Sequence, residues 1–280
     1  MKYLITGITG TLGRAVSTLI LNNPDSLLVG YSRDECKQSA LAKHPRLTLY
    51  LGDIRDRERF IEASRGVDIV FHFAALKHVD KLEENPEESI QTNINGTENV
   101  LHAQRVNKIK RVVFSATDKG AYPINVYGMS KGIAERLVLR NPNNVVCRYG
   151  NVLGSRGSFL TSLVQTLKSE NSAYVTDPNM TRFWITAEDA ASFVFQSAAG
   201  SGGLKIPPMK ASPIHQLVTA VARVLNINSY RSIQTGIRPG EKVHECLRTE
   251  AEGEVLYSHS APQFTEQELV DLISPIVRTM

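Results

Sequence analysis

A doubly wound α/β fold, with a parallel sheet and a smaller C-terminal lobe, is the class this sequence predicts. Three observations carry that expectation. Short apolar runs alternate with helical patterns through the first half of the chain. A glycine-rich turn, Gly7-x-x-Gly10-x-x-Gly13, stands directly between the first run and the first helical pattern. The alternation stops after Gly150. Strand–helix alternation places parallel strands side by side and crossover helices on both faces.

The elements follow in order. Tyr3, Leu4 and Ile5 predict a first strand, and the pattern over 12–22 the helix after it. The apolar run at 27–31 predicts the second strand, with a helix over 35–43. The third strand falls at 47–51, before a helix at 56–64. The fourth, at 69–73, leads to a long helix over 86–107 that opens on Pro86. Val112, Val113 and Phe114 make the fifth strand, followed by a helix at 127–139. Residues 145–148 make the sixth. Beyond a loop at 154–157, helices are expected at 159–168, 187–197 and 214–225, with a glycine-rich turn at 200–203. The resulting division assigns 1–154, rejoined by 180–204, to a dinucleotide domain. Residues 155–179 and 205–280 form a substrate lobe over the carboxyl ends of the strands, where open α/β sheets bind ligands.

Composition narrows the function. With 280 residues, 42% hydrophobic and 21% charged, the chain is an ordinary globular protein and not a disordered one. The net charge of +4 comes without a basic run, which argues against nucleic acid and suits an anionic small molecule. Cys36, Cys147 and Cys246 are far apart, and His78, His215 and His244 lack ligand spacing, so neither a disulfide framework nor a metal is expected. No leader pattern and no run of about 20 apolar residues is seen, so the expected compartment is the cytoplasm, off the membrane.

The glycine-rich turn has the spacing of a Rossmann-type pyrophosphate loop. Thr6, Gly7, Thr9, Gly10, Thr11, Leu12 and Gly13 are its candidate contacts, with the helix amino end facing the phosphates. At the tip of the second strand, Ser32, Arg33 and Lys37 can hold a 2′-phosphate, which suits NADP; Asp34 leaves NAD open. Asp53, with Ile54 beside it, can accept from the adenine amino group. Ala74 and Ala75 let the backbone pass close to the cofactor.

Residues 117–131 carry the chemistry. Tyr127 is a poor base at neutral pH, since a phenol titrates near ~10. Lys131, one helical turn away, supplies an ammonium that favours the phenolate. Thr117 can bind the same substrate hydroxyl. Asp118 and Lys119, on the loop at the strand end, form an acid–base pair able to expel water from a neighbouring carbon. Arg182 and Arg238 are candidate clamps for a substrate diphosphate. Trp184 reads as core.

These segments resemble the extended short-chain dehydrogenase/reductase superfamily. Within it they resemble the inverting UDP-N-acetylglucosamine 4,6-dehydratases among polysaccharide-biosynthesis proteins. The matching pieces are 31–39 (YSRDECKQS), 74–79 (AALKHV), 117–119 (TDK), 123–128 (PINVYG), 148–158 (RYGNVLGSRGS), 180–186 (MTRFWIT) and 236–242 (GIRPGEK). The resemblance implies NADP, a UDP-sugar, and a dehydration step for Asp118 and Lys119. It implies cofactor contact by Lys77, Tyr127 and Lys131, and substrate contact by Lys77, His78, Asn151, Arg182, Arg238 and Glu241. It also implies a homo-oligomer, a hexamer or dimer. The retaining relatives usually lack the tyrosine, so Tyr127 points to the inverting group. The chain departs from the pattern at Ala116, where serine is common, at Tyr122, where asparagine is usual, and in a reduced tail after Leu247. Three other readings stay open: a UDP-sugar 4-epimerase, which has no use for Asp118 and Lys119, a 5,6-dehydratase, and a nucleotide-binding module without turnover.

Overall fold

The computed structural model describes residues Met1–Met280. The chain divides into two compact units, 1–148 with 188–207, and 149–187 with 208–280. The change of unit comes at Tyr149 rather than 154, and the segment that returns to the first unit begins at Glu188 rather than 180.

The first unit is built on seven strands. β1 (Lys2–Thr6), β2 (Leu27–Ser32), β3 (Leu47–Leu51), β4 (Ile69–His72), β5 (Arg111–Ser115) and β6 (Val145–Cys147) are joined by Gly203–Lys205. Their spatial order is Gly203–Lys205, β6, β5, β4, β1, β2, β3, with every neighbouring pair parallel. The order reverses between β1 and β4, the switch point where such sheets bind ligands. Near-continuous apolar strands are what a sheet covered on both faces requires. On one face Val70, Val112, Phe114 and Val146 pack with Phe60, Val100 and Ala134 from the flanking helices. On the other, Tyr3 and Phe71 meet Phe195 of the returning helix Ala187–Ser197. Gly203–Lys205 was expected only as the end of a turn; pairing with β6 makes it a strand.

Two helices differ from expectation. Glu35–Ser39 is shorter than 35–43, and within it Gln38 turns inward to donate to the carbonyls of Ser32 and Tyr50. The long helix opens as Pro86–Ser89, widens into a π-helical turn at Ile90–Asn95, and resumes as Gly96–Val106. A short helix, Val79–Glu84, precedes it.

The second unit packs helices Phe159–Glu170, Ile214–Val224 and Glu266–Val277 around Leu163, Trp184, Leu217 and Ile273. Trp184 is core, with its indole N–H donating to Ser212 at 2.9 Å. Thr181–Ile185 pairs with Asn151–Val152 and Ala211–Pro213, and Ser172–Val175 pairs with Arg231–Gln234. The tail after Leu247 is structured. Thr265 and Glu268 close a capping box, and Leu269, Ile273 and Val277 bury one face of the last helix.

Candidate active site

The turn between β1 and its helix is shaped by its glycines. Gly7 has φ +70°, a conformation that side chains resist, and a Cβ there would meet the amide of Ala74 at 3.0 Å. A Cβ on Gly13 would run into the carbonyl of Gly7. Helix Thr11–Leu21 starts at Gly10 with no side-chain cap, so its first N–H groups have no internal acceptor from that residue. Close backbone approach and an uncapped helix start fit a pyrophosphate.

Behind this turn lies a buried relay. Thr6 Oγ1 accepts from the amides of Phe73 (3.0 Å) and Ala74 (3.1 Å), so its own proton goes to His72 Nδ1 at 2.8 Å. His72 Nε2 therefore carries the ring proton and donates to Thr97 Oγ1 at 3.1 Å, which donates to the carbonyl of Asn93 at 2.7 Å. Burial, with the nearby Lys131 ammonium adding to it, pushes the His72 imidazole down to about 3, so the ring stays neutral. Asn93 Oδ1 accepts from the Leu76 amide at 2.8 Å, and its amide donates to the Leu76 carbonyl at 3.0 Å. The π-helical turn is thus clasped to the segment after β4. Thr92, on the same turn, keeps a buried hydroxyl oxygen without a hydrogen-bond partner in the protein. Neither Thr92 nor Asn93 is marked by any local sequence motif; only the π-helical turn reveals them.

The segment after β2 carries paired charges of both signs. Asp34 caps helix Glu35–Ser39 by accepting from the Lys37 amide at 2.9 Å, and it also pairs with the Lys37 ammonium. Arg33 lies 3.5 Å from Asp53, and Arg55, which no local motif marks, lies 2.9 Å from it. Partial burial is the largest single influence on the Asp53 carboxyl and raises it, but the hydrogen bonds and charge of Arg55, with the charge of Arg33, together outweigh it and hold the carboxyl below its usual range. Ile54 turns its side chain into the core against Gly96, which leaves only its backbone for a ligand. Ser32 is buried and accepts from Gln38 at 2.9 Å. Lys77 and His78 are exposed at the start of helix Val79–Glu84.

The catalytic candidates come together. Thr117 leads the single 3₁₀ turn Asp118–Gly120 and donates to Asp118 Oδ1 at 3.0 Å. The Lys119 ammonium reaches the same oxygen at 3.1 Å. Asp118 is 0% exposed and the Lys119 side chain 19%. Tyr127 and Lys131 lie one turn apart on helix Val126–Leu139, which Asn125 caps through the Gly128 amide at 2.6 Å. Lys131 is buried; its Nζ donates to the Ser115 carbonyl at 2.6 Å and sits 3.9 Å from the centre of the Phe114 ring. Burial brings its ammonium down to about 7, with Glu135 acting in the opposite direction.

Glycine lets loop and helix touch. A Cβ on Gly128, next to Tyr127, would strike the Lys119 carbonyl. Gly128→Ala must push the acid–base loop away from Tyr127. We expect at least a tenfold loss of turnover and a destabilisation of roughly 1–3 kcal/mol, read by denaturant melts. Wild-type activity in that variant would show that the loop position is not critical.

In the second unit, Asn151 is half-buried in its short strand. Arg182 does not serve as the open clamp expected. Its guanidinium is buried and donates to the carbonyls of Thr181, Lys242 and Val243 and to the Met180 sulfur, which ties it to the backbone. Arg238 is exposed on a turn closed by Glu241, whose carboxylate accepts from the Arg238 amide at 3.2 Å.

A parallel sheet of this order, a glycine-rich turn at its switch point and a Tyr-x-x-x-Lys helix define an extended short-chain dehydrogenase/reductase. The chain belongs to the polysaccharide biosynthesis protein family, whose model matches residues 3–266. It is 40% identical over 275 residues to a UDP-N-acetylglucosamine 4,6-dehydratase (inverting) of Campylobacter jejuni, covering 91% of this chain and 80% of that protein. It is 38% identical over 262 residues to a UDP-glucose 4-epimerase of Rickettsia bellii, covering 87% and 76%. Among solved structures, Pen from Bacillus thuringiensis superposes with a TM-score of 0.91 at 30% identity, covering 97% of this chain and 96% of that one. DesIV, a dTDP-glucose 4,6-dehydratase of Streptomyces venezuelae solved with NAD, shares the fold, with a TM-score of 0.82 at 22% identity and coverage of 99% and 96%.

Proposed function

We propose that this chain is a nucleotide-sugar 4,6-dehydratase that acts on UDP-N-acetylglucosamine and inverts C5. The observation that carries this reading is the Asp118–Lys119 pair, 3.1 Å apart on a loop packed against the Tyr127 helix. An ion pair and a neutral acid–amine pair hold the same number of protons. Moving one proton from Nζ to Oδ1 gives an amine base and a carboxylic acid together. Burial of Asp118 favours the neutral form, because a desolvated carboxylate is costly.

The roles follow. Tyr127, as phenolate, takes the proton from the sugar 4-hydroxyl, and Lys131 stabilises that phenolate. A bound nicotinamide supplies the hydride acceptor for C4 and later the donor for C6. The C4 ketone acidifies C5, Lys119 removes the C5 proton, Asp118 protonates the 6-hydroxyl as it leaves as water, and the hydride that returns to C6 is balanced by a proton delivered to C5 on the opposite face. Thr117 keeps Asp118 oriented through its 3.0 Å bond. Inversion is supported by the presence of Tyr127 and by the name of the Campylobacter relative. The rickettsial relative's name supports the second reading, a 4-epimerase. Product mass separates the two. A dehydratase yields a UDP-sugar lighter by one water, whereas an unchanged mass with altered C4 configuration would establish the epimerase.

NADP is the cofactor we propose. Arg33, Lys37 and Arg55 gather at the β2 end, while Asp34 is engaged as a helix cap instead of facing a ribose hydroxyl. Replacing Arg33 and Lys37 together by serine should weaken NADP roughly tenfold or more and leave NAD unchanged, by calorimetric titration. Equal affinity of the wild type for both cofactors would overturn this. Arg238 is the diphosphate contact in this reading. We also infer a homo-oligomer in the cytoplasm. Ile90, Met129 and Ile133 are about half exposed on helical segments that pack together, an apolar face suited to a second copy. Light scattering that gave the monomer mass at assay concentration would contradict the oligomer. Finding the protein outside the cytoplasm on fractionation would contradict the compartment.

A further inference from the structure

One turn beyond Lys131, Glu135 is buried on the same helix. Arg148, buried just after β6, grips it with two bonds: Nε donates to Oε2 at 3.2 Å, and a second guanidinium nitrogen donates to Oε1. Nothing in the catalytic roles above uses this pair. A buried ion pair is weak support for a fold, since apolar side chains of the same volume usually serve as well. Its placement gives it another use. The Lys131 ammonium sits in a poor environment, with one carbonyl and an aromatic face from β5. The charged and titratable groups nearby are Tyr127 and Glu135 on its own helix, Arg148 bonded to Glu135, and neutral His72 on β4, while the loop packed against the helix at Gly128 carries Asp118 and Lys119. Glu135 is the negative charge that favours the ammonium.

We infer that Glu135, fastened by Arg148, is a positioning residue for this reaction: its buried carboxylate keeps Lys131 charged, and so keeps Tyr127 able to act as a base. The inference rests on the Tyr127–Lys131 reading above. Without Glu135, the lysine would lose its proton at lower pH and the phenol would lose its activating charge.

The test combines kinetics with direct titration. The Lys131 side chain is followed by NMR of ¹³Cε-labelled lysine in the full chain, with its signal assigned by its loss in Lys131→Arg. In Glu135→Gln, the Lys131 titration and the alkaline limb of kcat/KM should both move down by about one pH unit or more, the size of effect a neighbouring opposite charge exerts. Glu135→Asp should keep both near the wild-type position. If Glu135→Gln does not fold, Glu135→Gln with Arg148→Gln removes both buried charges together and should still move both down, by less than the single change would because the Arg148 cation is lost as well. A lower melting temperature with an unmoved titration and an unmoved limb would make the pair merely structural and overturn the inference. The two readings fail separately. Full turnover by Lys131→Met would remove the catalytic role, while the titration would still report whether Glu135 governs the lysine.

Discussion

Lys119→Ala and Asp118→Asn should each bring water loss from the sugar nucleotide close to a stop, with the rate falling by about 10²–10⁴, the usual worth of one general acid or base. The two variants should stall differently. Lys119→Ala lacks the base for C5, so oxidation at C4 proceeds and the absorbance of reduced cofactor accumulates. Asp118→Asn lacks both the acid for the 6-hydroxyl and the acceptor of the Lys119 proton, so C5 exchanges with solvent only as rising pH frees the amine, while the hydroxyl stays. Both side chains belong to a single 3₁₀ turn beside helix Val126–Leu139, and neither helps form the sheet core. Cofactor affinity and melting behaviour should therefore remain near wild type. Normal water loss in either variant would remove the residue from the mechanism.

Tyr127→Phe should act one step earlier. Without the phenol oxygen no group is placed to take the 4-hydroxyl proton. Turnover should fall by about 10²–10⁴, and no reduced cofactor should accumulate. The contrast with Lys119→Ala is the useful part, because the same absorbance should rise in one variant and stay flat in the other. The Tyr127 side chain is only half-buried, and its backbone carbonyl, which accepts from Ser130 at 2.8 Å, is untouched by the change. A loss of folding would therefore be unexpected. Accumulation of reduced cofactor in Tyr127→Phe would assign proton removal to another group.

Much of this was legible in the residues because the signals are local. Apolar runs at β1 to β6 and the spacing of Gly7, Gly10 and Gly13 are properties of adjacent residues, and the sheet and its turn follow from them. Tyr127 and Lys131 share a helix face by spacing alone. Other features depend on partners distant along the chain. The π-helical turn exists where Asn93 clasps Leu76, and helix periodicity cannot foretell it. Arg182 reads as a free cation until the carbonyls of Lys242 and Val243 are seen to occupy it. Glu135 and Arg148 meet across helix and strand, so neither position signals the pair. The final helix differs from these. Thr265, Glu268 and the apolar positions 269, 273 and 277 are a local start signal and stripe, so this helix is written in adjacent residues.

The most direct measurement of the central chemistry is an incubation of the protein with UDP-N-acetylglucosamine in deuterated water, followed by NMR of the product. Elimination through Lys119 and Asp118 predicts a C4 carbonyl, a methyl group at C6 and one deuterium at C5. A product that keeps its 6-hydroxyl and carries hydrogen from the substrate at C5 would contradict it.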